Sequence, residues 1–67
     1  MINEEFIKGY LNNIKKLEQE AEMNYQQLAY EIKDPLLQEE VSRLYDRAST
    51  CSDIIGEVQK LLKKTNQ

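Results

Sequence analysis

A chain of 67 residues, 40% hydrophobic and 31% charged, has room for one domain at most, and its formal charge of −3 is small and well mixed along the chain. No basic stripe is present to neutralise phosphates, which argues against nucleic acid. No run approaches the roughly 18 consecutive apolar residues of a membrane span, and the acidic start Met1-Ile2-Asn3-Glu4-Glu5 is unlike a signal peptide, so a cytoplasmic location is expected.

Asn3 is a suitable N-cap, and Glu4 and Glu5 in the first turn favour the positive end of a helix, so helix 1 is expected from about residue 4 to about residue 32. Along it Ile7, Leu11, Ile14, Glu18, Ala21, Tyr25, Leu28 and Ile32 alternate steps of four and three, the mark of a helix seam that packs on other helices. Lys33-Asp34-Pro35 is the expected turn. The residue before a proline is pushed out of the helical region, and Pro35 suits the first position of a new helix with Asp34 as its cap. Helix 2 is expected from about residue 35 to about residue 63, with the seam Leu37, Val41, Leu44, Ala48, Cys51, Ile55, Val58, Leu62 and with Lys60, Lys63 and Lys64 at its negative end. Thr65-Asn66-Gln67 reads as a frayed tail. Gly9 and Gly56, the only glycines, fall inside the helices, as tolerated surface positions or as points of close helix approach.

A turn this short forces the helices antiparallel, so the fold class is all-α, a two-helix hairpin. Its seam pairs Ile32 with Leu37, Ala21 with Ala48, Ile14 with Ile55, and Ile7 with Leu62. Glu18 then lies opposite Cys51. A second stripe flanks the seam, with Tyr10 and Leu17 facing Leu61 and Ile54, and Tyr45 widens the apolar arc on the other flank. Two helices alone leave this surface exposed, and contiguous apolar surface on a water-soluble chain marks an interface. Pairing of two hairpins into a four-helix bundle completes the fold, with Tyr10, Leu17, Glu18, Tyr45, Cys51, Ile54 and Leu61 as candidate interface residues.

Glu18 breaks the apolar seam, and an unpaired charge in a bundle core is costly. It is read either as a register-fixing polar residue, protonated, hydrogen-bonded or reaching the edge, or as the descendant of a metal ligand. Cys51 is read either as a small buried hydrophobe or as a thiolate ligand or redox-sensitive thiol; as the single cysteine it forms no internal disulfide, which suits a reducing compartment without requiring one. Within Ser49-Thr50-Cys51-Ser52 only Cys51 is expected to point into the seam, the hydroxyls bonding back to the helix. Glu18, Glu20 and Glu22 wrap around helix 1 as a solvated face, with no loop to bind calcium. The four tyrosines read as interface anchors rather than redox relays.

The stretch Leu17-Glu18-Gln19-Glu20-Ala21-Glu22-Met23-Asn24-Tyr25-Gln26-Gln27-Leu28-Ala29, followed by Ile32-Lys33-Asp34-Pro35, resembles the first half of a rubrerythrin-type ferritin-like hairpin. In that family a helix carries a ligand glutamate, a tyrosine seven residues on and then Leu-Ala, followed by a turn often reading Lys-Asp-Pro. Glu18 and Tyr25 match the first two. The resemblance implies a Glu-x-x-His motif in the next helix and a pair of metal ions between two hairpins, but the family's Glu and His fall on Ala48 and Cys51 here. Alanine bridges no metal, histidine is absent from the chain, and Arg47 adds positive charge, so the di-iron chemistry of the family is expected to be lost. The chain also resembles very small two-helix proteins of unknown function from spore-forming bacteria.

No phosphate loop, paired-cysteine zinc motif or catalytic nucleophile–base arrangement is present, and neither catalysis nor a cofactor is expected. The reading is a non-enzymatic interaction module whose partner is itself and, in addition, a helix of a larger protein docked beside Tyr10, Leu17, Ile54 and Leu61. The alternative is a degenerate ferritin-like metal-binding protein in which Glu18 and Cys51 from paired chains converge on zinc or iron.

Overall fold

A computed structural model describes residues 3–65. The described residues form two helices, α1 (Glu4–Glu31) and α2 (Pro35–Thr65), packed against each other with no strand among them. The outermost residues of both ends, including Met1-Ile2 of the acidic start and Asn66-Gln67 of the expected tail, lie outside this range, while Thr65 ends α2. The helix pair is a rod 51 Å long and about 15 Å thick.

Local chemistry sets the helix ends. Asn3 is extended (φ −86°, ψ 101°), and its side-chain oxygen accepts from the amides of Glu5 and Phe6 at 3.1 and 3.3 Å while its carbonyl accepts from Ile7 at 3.2 Å. Two of the four amides orphaned at a helix start are thereby satisfied by the cap, and Glu4 and Glu5 face the positive helix end. Ile32 leaves the helical region (φ −82°, ψ 130°) and still donates to the Leu28 carbonyl at 3.1 Å. Pro35 opens α2, where its missing amide costs no hydrogen bond. Asp34 contributes its backbone, the carbonyl accepting from Gln38 at 2.9 Å, and among the described residues its carboxylate caps no amide.

The contact between the helices runs along a lane beside the most apolar one. On α1, Leu11, Lys15, Glu18, Glu22, Tyr25, Ala29 and Ile32 are half-buried; on α2, Val41, Ala48 and Ser52 are buried, with Tyr45, Ile55, Gln59 and Leu62 half-buried along the same line. Both series alternate steps of four and three. They share Leu11, Glu18, Tyr25, Ile32, Val41, Ala48, Ile55 and Leu62 with the expected seams. Elsewhere they take Lys15, Glu22 and Ala29 in place of Ile14, Ala21 and Leu28, and Tyr45, Ser52 and Gln59 in place of Leu44, Cys51 and Val58. Of the seam positions left out, Ile7 and the small Ala21 and Cys51 are half-buried, whereas Ile14, Leu28, Leu37, Leu44 and Val58 remain 41–52% exposed. A 4–3 stripe has two neighbouring solutions that share every seventh residue, and the helices meet on the one where Lys15 and Gln59 bond across the contact.

Polar bonds fasten the contact at both ends. Lys15 Nζ donates to Gln59 Oε1 at 3.5 Å and Gln59 Nε2 donates to Asn12 Oδ1 at 3.0 Å. Near the link, Gln38 Nε2 donates to the carbonyls of Ala29 and Ile32 at 2.9 and 3.1 Å. Among the described residues the ion pairs Glu40–Arg43 and Glu57–Lys60 are exposed i,i+3 pairs within α2 and add little stability.

Candidate functional site

Because the helices join along the more polar lane, the apolar lane faces outward on one side of the rod. Ile14 and Leu28 from α1 and Leu44 and Val58 from α2 border the contact there, and Tyr10, Leu17, Ile54 and Leu61 flank them at 56–68% exposure. The periodicity of the two helices places all of these residues on one side. The other side carries a polar groove lined among others by Lys15, Gln19, Glu22, Asp53, Glu57 and Lys60.

At mid-length the apolar face is interrupted. Glu18 and Tyr25 from α1, with Leu44, Arg47, Ala48 and Cys51 from α2, line an open recess of about 130 Å³. The recess forms where side chains are short, since Ala48 and Cys51 lie between the larger Leu44 and Ile55. Glu18 and Cys51 are half-buried in it and Arg47 is exposed at it. Among the described residues the side chains of Glu18, Tyr25, Arg47 and Cys51 have no hydrogen-bond or ion-pair partner.

Of the candidate interface residues, Tyr10, Leu17, Ile54 and Leu61 thus lie exposed on the apolar face and Glu18 and Cys51 meet at its recess. Tyr45 is half-buried on the opposite flank, on the lane of Ser52 and Gln59. Sequence reasoning missed Ser52. It is buried between the helices, and its Oγ bonds neither the helix backbone nor any other described group. The signal that could have found it is the four-residue step from Ala48, equivalent to the step from Val41 to Tyr45.

The recess does not fit the di-metal set of the ferritin-like family. Ala48 offers no donor, Cys51 stands where the resemblance would require histidine, and Arg47 brings a cation to the same wall. Among the described residues no three Cys, Asp or Glu side chains converge to hold a metal ion. No helix among them is long and apolar enough to cross a membrane. No protein-family model, curated protein or solved structure matches this chain.

Proposed function

We propose that the chain is a small, non-enzymatic helical interaction module, an antiparallel two-helix hairpin that pairs with a second copy into a four-helix bundle and works in the cytoplasm. One observation carries this reading: the helices meet on a lane that takes in Lys15, Glu22, Ser52 and Gln59 beside Val41 and Ala48, while the more apolar lane next to it is left open. Burial of apolar surface is the main favourable term in folding. A lone pair of helices that buries only Val41, Ala48 and Ser52 fully among the described residues gains too little to offset about 1.5 kcal/mol per residue of ordering entropy. Covering the open face supplies the missing burial. The antiparallel arrangement is supported by the short link at residues 32–34, by Gln38 bonding Ala29 and Ile32 beside it, and by Gln59 bonding Asn12 and Lys15 far from it.

Sedimentation equilibrium or light scattering at micromolar concentration tests the proposal. A dimer mass is the expected result. A folded monomer overturns self-association and leaves a helix of a larger protein as the occupant of the face.

A second reading, a degenerate ferritin-like metal-binding protein, draws on the meeting of Glu18 and Cys51 at one recess. Two copies would bring together two carboxylates and two thiolates, a donor set for zinc or iron that a single chain lacks. Elemental analysis of protein purified without chelator separates the two. Stoichiometric zinc or iron favours the metal protein, and its absence, with a melting temperature indifferent to chelator, favours the interaction module.

A further inference from the structure

We infer that the second copy lies with its link at the same end of the bundle, so that α1 of each chain packs on α2 of the other and Glu18 meets Arg47 of the second copy. This rests on the self-association proposed above and specifies its geometry. Glu18 and Arg47 are the only charged side chains of the recess, and neither has an ion-pair partner among the described residues. Opposite charges that share a wall without pairing within the chain are placed to pair across it.

The position of the recess makes the argument geometric. Glu18 lies at the middle of Glu4–Glu31, and Ala48 and Cys51 lie at the middle of Pro35–Thr65. When two copies cover each other over their full length, this layer of one faces the same layer of the other whichever two-fold axis relates them. Two axes within the interface are available. An axis along the helices sets α1 on α2 of the second copy and brings each Glu18 to the other chain's Arg47, forming two reciprocal opposite-charge contacts. An axis across the helices sets like on like, Glu18 against Glu18 and Arg47 against Arg47, with Cys51 against Cys51. Like charges in a partly desolvated layer repel, and opposite charges fix register and partner choice. The apolar residues of the face do not discriminate between the two arrangements, since both bury them, so the charges select the first.

Mixing charge-reversed variants tests this. Glu18→Arg and Arg47→Glu should each raise the dissociation constant of their own dimer about tenfold. An equimolar mixture should return to wild-type affinity as a heterodimer, whereas like-on-like packing would leave each single variant associating as the wild type does and make the mixture tighter than the wild type. In the proposed heterodimer the arginine introduced by Glu18→Arg in one chain faces the glutamate introduced by Arg47→Glu in the other, while the unsubstituted Glu18 and Arg47 still face each other. Where a single variant is unfolded alone, helix content regained on mixing is the same readout. A mixture no tighter than the single variants overturns the pairing, as does rescue confined to the double variant Glu18→Arg/Arg47→Glu, which would place the pair within one chain. Oxidation of the wild-type dimer provides a check that needs no variant. The two Cys51 thiols lie diagonally apart in the proposed arrangement, so no disulfide-linked dimer should accumulate; efficient cross-linking with helix content retained would establish like-on-like packing. A monomeric wild type refutes self-association itself, whereas a dimeric wild type whose variants and mixtures all associate alike refutes only the pairing.

Discussion

Gln38 Nε2 donates to the Ala29 carbonyl at 2.9 Å, so the first turn of α2 holds the last turn of α1. The last carbonyls of a helix have no partner inside it, and α1 has no basic residue in its last turn to serve them. Gln38 also reaches the Ile32 carbonyl, closing both sides of the link with one amide. Gln38→Ala should lower stability by about 1 kcal/mol, a loss typical of a solvent-accessible hydrogen-bond pair. Gln38→Glu should cost more, since a carboxylate has no proton to give two carbonyls. Urea denaturation at fixed protein concentration checks both, and an unchanged midpoint for Gln38→Glu would show that the contact does not hold in solution.

Ser52 presents the opposite case. Its hydroxyl is buried between the helices without a hydrogen-bond partner among the described residues, which carries a desolvation cost and returns nothing. Ser52→Ala should therefore raise stability by about 1 kcal/mol, while Ser52→Leu should lower it by about 1–3 kcal/mol by overfilling a buried position between the helices. Thermal melts of both variants decide the matter: destabilisation by Ser52→Ala would mean that the hydroxyl is bonded in the assembled protein.

That the chain forms two helices was legible because a 4–3 spacing of apolar residues has one meaning in a chain of this length, and because Asn3 and Pro35 are suited to helix starts. Which side of each helix meets the other was not. Leu11, Glu18 and Tyr25 on α1, and Val41, Ala48 and Ile55 on α2, lie on the boundary between two lanes that both keep the spacing. Apolar content favours the lane of Ile14, Leu28, Leu44 and Val58, but the helix contact takes the lane of Lys15, Glu22, Tyr45, Ser52 and Gln59. The candidate site was legible only as an interruption. Glu18 stands out in any apolar stripe, whereas Arg47 and Ser52 gain their meaning from the side of α2 on which each falls, which depends on the lane.

Charge placed on the apolar face should weaken association, and charge placed on the polar groove should not. Leu17→Lys and Ile54→Lys each put a cation on exposed apolar surface and are expected to raise the dimer dissociation constant at least about tenfold. Gln19→Lys, on the groove of the opposite side, should leave it unchanged. Sedimentation velocity of the three variants over a concentration series reads this directly. If Gln19→Lys is the one that dissociates the protein, the occupied face is the polar one.

The two glycines give a separate reading of which surfaces are covered. A β-carbon added at Gly9 or Gly56 would meet nothing within 4 Å, and both lie within helices, where glycine is less stable than alanine by up to about 1 kcal/mol. Gly9→Ala and Gly56→Ala should therefore each be stabilising, with gains that add because the added methyl groups touch no common neighbour. Gly56 lines the polar groove beside Lys15 and Asp53. If that groove stays open to water in the assembled protein, the gain from Gly56→Ala is the same in melts at low and at high protein concentration. A gain that shrinks or reverses as concentration rises would mean that a second chain approaches α2 at this glycine, and the self-associating surface would then be the polar groove instead of the face around Glu18 and Arg47.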